Sequence, residues 1–420
     1  MTIPQSALWY LRGQLSEMQR RGYNTVFVSS VGEAGELEQV AHQEGIRVFP
    51  LEVSREIDPL GDVQSMWQLH RLMLKIRPDI VNFGNPKTGL VGGVVAALWR
   101  VPVRVYTLHG LRLETAVGAK RQILMWTERL TMSCAHHVVA VSPSLRERTL
   151  ALGLVSPHKI STLHHGSVNG IRTMNVDAEQ VEMLRSRLGI PKEALVYGFV
   201  GRLTRDKGIG ELISAFQILR QTHPEARLLL VGDFETGDPV DEVTRRQIEA
   251  SDSILWVGYA SDVVSYYGLL DILVLPTYRE GFPTVALEGA ALGLPLITTD
   301  ATGARDAVQD GVTGLRVAVG DVNQLADAMQ QLADDQPLRR RFGQQGKTWV
   351  ERDFAQERLW QEWDTLYQRL LTESRSGQPM FGSHRSKRPC MIGAGGIVLL
   401  ALIKLRTRRA TDRSHDDKRG

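Results

Sequence analysis

The sequence predicts an α/β protein made of two doubly wound domains. Two observations lead there. Short apolar runs alternate with amphipathic helical stretches, the pattern of βαβ units on a parallel sheet. The alternation then repeats after a break at about 167–192, where Gly170, Pro191 and polar residues interrupt it. A chain of 420 residues has room for two to three compact domains, each with its own core.

The elements of the first set follow in order. A helical pattern covers 5–21, then come strand-like runs at 25–30, 46–51, 79–83, 103–108 and 137–142, with a helical pattern at 63–76 among them. The second set has runs at 195–202, 227–233, 254–258, 272–276, 295–299 and 314–319. Helical patterns at 210–222 and 322–333 accompany them. A last helix over about 354–371 gathers Leu359, Trp360, Trp363, Leu366, Tyr367 and Leu370 on one broad apolar face, as packed core does. The expected division is 1–168 for the first domain, 169–192 for a linker and 193–350 for the second domain. The final helix takes 351–371, and 372–420 forms a basic tail.

The first helix begins almost at Met1, with no strand before it. A doubly wound domain starts on a strand that ends up in mid-sheet. The first sheet is therefore expected to lack its central member, which an in-frame start further upstream would restore.

Composition narrows the function. With 43% hydrophobic and 23% charged residues, the chain is ordinary for a globular protein. The net charge of +3 comes from the tail: residues 384–420 hold ten Lys/Arg against three Asp/Glu, leaving 40 against 44 elsewhere. The body is thus expected to carry scattered, solvated charge and to bind no nucleic acid. Cys134 and Cys390 form neither a metal spacing nor a disulfide framework, and the N-terminus has no signal-peptide pattern. Both point to the cytoplasm.

Three segments carry chemistry. In 271–299 a buried strand runs into a loop holding Glu280, then a helix from about Pro283 that carries Glu288. The amides at that helix start, near Gly281 to Thr284, suit an anion. A loop carboxylate can accept hydrogen bonds from sugar hydroxyls, and a second one two turns along can clasp a ribose diol. Taken alone, the two glutamates read equally well as a helix cap and a surface residue. In 197–216 a strand ends at Gly201, followed by Arg202, Lys207, Gly208 and Gly210 before a helix. Two cations beside a glycine-rich turn suit a diphosphate, Arg as a fork and Lys as a point charge. A solvated basic loop is the equal alternative. In 103–115, His109 and Gly110 end a strand, where the histidine can meet a sugar or phosphate oxygen or simply sit satisfied in a loop. The adjacent pairs His136–His137 and His164–His165 would point to opposite faces of a strand, so no metal site is expected.

Together these segments resemble the retaining, two-domain GT-B enzymes of glycosyltransferase family 4, over roughly 1–371. The resemblance implies two Rossmann-like domains facing across a cleft. Gly201, Arg202, Lys207 and Gly208 match the family's donor-diphosphate motif. Glu280 and Glu288 match its paired glutamates, the first for the donor sugar and the second for the ribose. Gly281, Phe282, Pro283 and Thr284 match the stretch whose amides approach sugar and phosphate, and His109 with Gly110 matches the histidine–glycine of the first domain. On this resemblance Glu280, Arg202, Lys207 and His109 do the catalytic work, and Gly201, Gly281, Phe282, Pro283, Thr284 and Glu288 hold the donor. The last helix is implied to cross back to the first domain.

Stretches at 11–15, 86–90, 107–115 and 141–148 look like those of bacterial capsule, O-antigen and exopolysaccharide enzymes. That implies a UDP-linked donor, a lipid-linked or oligosaccharide acceptor, retention of configuration, and no metal or other cofactor. Work would take place at the inner face of the plasma membrane. The same scaffold also serves nucleotide-sugar epimerases and hydrolases, and a chain without its first strand could instead bind nucleotide sugars without turnover. In the tail, the apolar run 391–403 is too short to span a bilayer, which takes about 20 residues. Flanked by basic residues, it reads either as an interfacial membrane contact or as an unstructured tail.

Overall fold

A computed structural model describes residues 4–32, 35–51, 59–84, 86–376 and 400–405. It contains two sheets, each covered by helices. The first uses β1 (Tyr23–Ser29), β2 (Arg47–Pro50), β3 (Ile80–Gly84), β4 (Val103–Leu108), β5 (His137–Ala140) and β6 (Ile160–Ser161). Its helices are α1 (Gln5–Tyr10), α2 (Gln14–Arg20), α3 (Glu36–Glu44), α4 (Pro59–Ile76), α5 (Pro86–Leu98), α6 (Gly118–Cys134) and α7 (Pro143–Ala151). The connecting segment holds α8 (Ala178–Arg187). The second sheet uses β7 (Val196–Val200), β8 (Arg227–Val231), β9 (Ile254–Trp256), β10 (Ile272–Leu275), β11 (Leu296–Thr299) and β12 (Gly314–Val317). Its helices are α9 (Ile209–Leu219), α10 (Glu242–Glu249), α11 (Val263–Tyr267), α12 (Thr284–Ala291), α13 (Val322–Asp334) and α14 (Gln336–Asp353). Helix α15 (Gln356–Ser376) follows.

The second sheet runs β12-β11-β10-β7-β8-β9, all parallel. Every residue of β7 and β10 is buried, as strands covered on both faces must be. Strand order reverses between β7 and β10. The crevice beyond their carboxyl ends is where such sheets bind ligands, and there the loops with Arg202–Lys207 and Glu280–Pro283 emerge.

The first sheet corrects the expectation of a missing central strand. Its order is β2-β1-β13-β3-β4-β5-β6, where β13 is Leu400–Leu405 from the tail. This strand fills the mid-sheet slot between β1 and β3 and runs antiparallel to both, with Leu402 opposite Val26 and Val81. All other pairings in the sheet are parallel. Residues 400–403 of the apolar tail run are therefore sheet rather than interfacial segment; 391–399 lie outside the described residues.

The helical pattern at 5–21 proves to be two helices. Gly13 breaks it at φ 81°, a backbone conformation that costs other residues energy. A Cβ there would also press on the Trp360 ring, 3.1 Å away.

Helix α15 does cross to the first domain. Leu359, Trp363, Leu366, Tyr367 and Leu370 form one core with Tyr23, Ile80, Val103, Val105 and Val139. Trp360 Nε1 donates to Asn169 Oδ1 at 2.7 Å, and Tyr23 Oη donates to Asp364 Oδ1 at 2.6 Å. The two crossings between the domains run side by side: Ile171 N donates to Phe354 O at 2.7 Å, and Gln356 N to Ile171 O at 3.3 Å.

Candidate active site

The site forms where loops from both domains meet. After β7, a short 3-10 turn, Arg205–Lys207, presents Lys207 and ends on Gly208 at φ 73°. A Cβ on Gly208 would overlap the Pro276 carbonyl oxygen, so this glycine lets the β7 and β10 loops touch. The result is an ion pair between the Lys207 ammonium and the Glu280 carboxylate, both largely shielded from solvent. Beneath it, Arg279 Nη2 binds Asp206 Oδ2 at 2.6 Å, and Arg279 Nε donates to Thr115 Oγ1 of the first domain at 3.1 Å. Burial works against the Asp206 charge. Its hydrogen bond from Thr204 and the charges of Arg279, Lys207 and Arg202 prevail, holding the carboxyl below its usual range.

Glu288 lies one helix turn deeper in α12. Burial raises its pKa, opposed by a hydrogen bond from Tyr267 Oη at 2.8 Å and by the Arg172 charge. Helix α12 starts at Pro283 with no side-chain cap, so no side chain consumes its first amides. The Phe282 ring bridges toward the first domain: it lies 5.5 Å from the Phe354 ring, and a Cβ on Gly166 would stand 3.2 Å from it. Arg202 is engaged with Glu235 and its side chain remains 60% exposed, while its charge still reaches Asp206.

From the first domain comes the loop after β4. A Cβ on Gly281 would overlap the His109 carbonyl oxygen; the two domains touch here, backbone to backbone. Burial pushes the His109 imidazole down to about 4, so at neutral pH it is an uncharged hydrogen-bonding group. Further contacts close the cleft. Asp306 Oδ2 accepts from Ser144 N at 2.9 Å and from the Ser144 hydroxyl, which in turn accepts from Gly303 N at 2.7 Å. Thr302 Oγ1 donates to Glu114 Oε1 at 2.8 Å.

The structure thus brings together Lys207, Glu280, Gly281 and the His109 loop, with Pro283, Thr284 and Glu288 on the adjoining helix start and Gly201 at the end of β7. Sequence reasoning missed several members. Tyr10 of α1 is 40% exposed; desolvation and the charges of Glu280 and Glu288 raise its phenol pKa, against the pull of Arg202. Trp9, its neighbour, meets Tyr259 of the second domain with ring centroids 6.2 Å apart. Tyr267 and Arg172 were also missed, since neither falls in a motif. Asp206 was missed as well, although its place between Arg202 and Lys207 could have drawn attention to it.

One expectation about histidines is corrected. His164 and His165 are not on a strand; His164 sits at φ 47° and the two rings lie 4.3 Å apart. Their nitrogens and an Asp353 oxygen fall within 4.8 Å of one another. Both Asp353 oxygens are already bound by Arg352, at 2.8 and 2.6 Å.

Two doubly wound domains facing across a cleft, with ligand-binding loops at the switch point of the second, define a protein of the GT-B class. Residues 7–166 match the model of the glycosyl transferase 4-like domain, and 180–349 match glycosyl transferases group 1. The chain is 35% identical to the capsular polysaccharide biosynthesis glycosyltransferase CapM of Staphylococcus aureus, over 87% of this chain and 94% of that one. It therefore belongs to the GT4-type glycosyltransferases. It is also 26% identical to the Escherichia coli UDP-Gal:alpha-D-GlcNAc-diphosphoundecaprenol alpha-1,3-galactosyltransferase, over 68% of this chain and 74% of that one. Among solved structures it resembles Anabaena HepE in complex with UDP-glucose, with TM-score 0.72, 20% identity and coverage of 86% and 96%.

Proposed function

We propose that the chain transfers a glycosyl group from a UDP-sugar to a lipid-linked acceptor, with retention of configuration, in the assembly of a bacterial cell-surface polysaccharide. The observation that carries this is the convergence of Lys207 and Glu280 at the switch point of the second sheet, against the His109 loop of the first domain. The names of the capsular and diphosphoundecaprenol relatives support the polymer and the lipid acceptor. The UDP-glucose complex of the HepE fold relative supports the donor.

In this reading the bond between the anomeric carbon and the β-phosphate oxygen breaks while the acceptor hydroxyl oxygen bonds to that carbon. The acceptor's hydroxyl proton is taken up by the departing β-phosphate oxygen, and UDP leaves. Lys207 and the first amides of α12 stabilise the negative charge gathering on the diphosphate, the task that a metal performs in other sites, so no metal is required. Arg202 joins them by releasing Glu235. Glu280 accepts hydrogen bonds from donor-sugar hydroxyls and holds Lys207 in place, and Glu288 holds the ribose. Neutral His109 donates or accepts a hydrogen bond from the acceptor side.

The test is incubation with labelled UDP-sugars and polyprenyl-diphosphate acceptors, with and without a chelator. Transfer to lipid that survives chelation, with the anomeric configuration of the donor kept in the product, is expected. An epimerised donor, free sugar, or binding without turnover would each replace this reading. Glu280→Gln is expected to lower kcat at least about 100-fold, a loss typical of removing one charge-positioning group, while UDP binding measured by calorimetry persists.

A further inference from the structure

We propose that His164, His165 and Asp353 bind a divalent transition-metal ion of the zinc class, which clamps the two domains together at their hinge. The ion lies outside the donor site and is not needed for transfer.

The ligand set comes first. Neighbours on a strand face opposite ways, which is why the sequence predicts no metal at His164 and His165. The pair lies instead in the loop after β6, and His164 adopts φ 47°, a conformation that strains a residue with a Cβ. With this turn the two rings come to one side, their centroids 4.3 Å apart. There they meet the Asp353 carboxylate, and one ligand atom from each residue lies within 4.8 Å of the others. Two imidazoles and a carboxylate are a mixed nitrogen and oxygen set that zinc accepts, with water to complete four-coordination. Zinc bonds of about 2.0–2.1 Å place tetrahedral ligand atoms about 3.3 Å apart. Both histidines are exposed and free to swing that distance, while Asp353 is buried and holds its place.

Arg352 is the competitor. It donates to both Asp353 oxygens, at 2.8 and 2.6 Å. Its side chain is 64% exposed, against 8% for Asp353. The guanidinium can therefore turn into water while the carboxylate stays. A pair with one such exposed member contributes little, and a divalent ion held also by two imidazoles displaces a monovalent partner. On α15, Glu362 and Arg358 both act on His164 with opposite charges, so they leave the local field close to balanced.

Position gives the ion its role. His164 and His165 belong to the first domain, whereas Asp353 ends α14, which packs on α12 and β12 of the second. The next residue is Phe354, whose carbonyl accepts from Ile171 N where the two crossings run side by side. An ion on these three ligands ties one domain to the other beside both crossings. The His165 ring is also 6.1 Å from the Phe354 ring, which is 5.5 Å from that of Phe282 in the donor loop. Two ring contacts thus connect the clamp to the donor site.

The test is calorimetry of the untagged full chain with zinc chloride. Binding that depends on this site is expected, with none for magnesium, which prefers an all-oxygen shell. His164→Ala and Asp353→Asn should each weaken zinc binding at least about ten-fold, since even a group that only orients a metal ligand contributes about 10–100-fold. Arg352→Ala should tighten it roughly two- to five-fold, the worth of an exposed ion pair. Retained UDP binding shows that the variants fold. X-ray absorption at the zinc edge needs no variant, and two imidazoles with one carboxylate oxygen are expected in the unaltered chain. Hydrogen exchange at the Ile171 and Gln356 amides of the crossings should slow when zinc is added. Three results overturn the proposal: no zinc binding, binding indifferent to Asp353→Asn (an adventitious ion only), or a bound ion that leaves those two amides unchanged. None of these measurements uses a sugar donor or acceptor, so failure of the clamp leaves the transfer reading standing, and failure of transfer leaves the clamp.

Discussion

At the scale of single residues, the site is governed by close backbone approach and by burial of charge. Gly281 illustrates the first. Its glycine identity is required by the His109 carbonyl across the cleft. Glu288 illustrates the second. Burial raises its pKa, and the Tyr267 hydrogen bond pulls it back by favouring the carboxylate. Tyr267→Phe removes that donor, so the Glu288 pKa rises further and a larger share of the group is neutral at a given pH. If the carboxylate clasps the ribose, the donor KM should rise roughly five- to ten-fold, the worth of one hydrogen bond to a charged group. The acid limb of kcat/KM should also move to higher pH. A pH-rate profile with varied donor checks both; an unshifted acid limb would separate Glu288 from donor binding. The sequence exposed Lys207, Glu280 and Glu288 because each follows or adjoins a buried strand at the switch point. It hid Tyr267 and Tyr10, because a partner brought in by folding leaves no trace in local spacing.

At the scale of elements, the tail strand β13 is the least expected feature. The parallel strands were legible as apolar runs because a sheet covered on both faces needs uninterrupted apolar strands. The tail run 391–403 has the same composition, but its basic flanks and its distance along the chain from the first domain made it resemble a membrane segment. Nothing local says that a slot between β1 and β3 awaits it. The split of α1 from α2 was hidden for a related reason: Gly13 alone does not announce a break, and the nearby Trp360 ring comes from the far end of the chain. Because β13 pairs on both sides, Leu402→Pro should open both ladders at once: proline lacks the N–H and is rarely tolerated in mid-sheet. A loss of about 3 kcal/mol is expected. Hydrogen exchange should show it in β1 and β3, with β7 and β10 unaffected and UDP still bound. Equal protection of β1 and β3 in the variant would mean that the sheet does not depend on the tail.

At the scale of the whole molecule, the two domains are held by α15, by the paired crossings at Ile171 and Phe354, and by contacts across the cleft. The crossings fix how the domains are hinged; the cleft contacts fix how far they close. Asp306 of the second domain is central among the latter. Its carboxylate sits at the N-terminus of α7 in the first domain, accepting from the Ser144 amide and hydroxyl. There the helix dipole and an unpaired amide both favour a negative charge. The same Ser144 hydroxyl accepts from Gly303 N, and a Cβ on Gly303 would overlap the Glu280 and Gly281 carbonyl oxygens. Closure is thereby coupled to the position of the Glu280 loop. Asp306→Ala leaves the Ser144 amide and hydroxyl without their acceptor and removes one of the ties that hold the cleft shut. The expected result is UDP affinity within about two-fold of the unaltered chain, because the donor groups Lys207, Glu280 and Glu288 all belong to the second domain. Transfer, which needs both domains, should fall roughly ten-fold, the effect of losing one charge-assisted hydrogen bond of about 1.5 kcal/mol. Small-angle scattering should report a larger radius of gyration for the variant, and added UDP-sugar should narrow the difference. A variant with unaltered scattering and unaltered transfer would show that the crossings and α15 alone set the closed cleft.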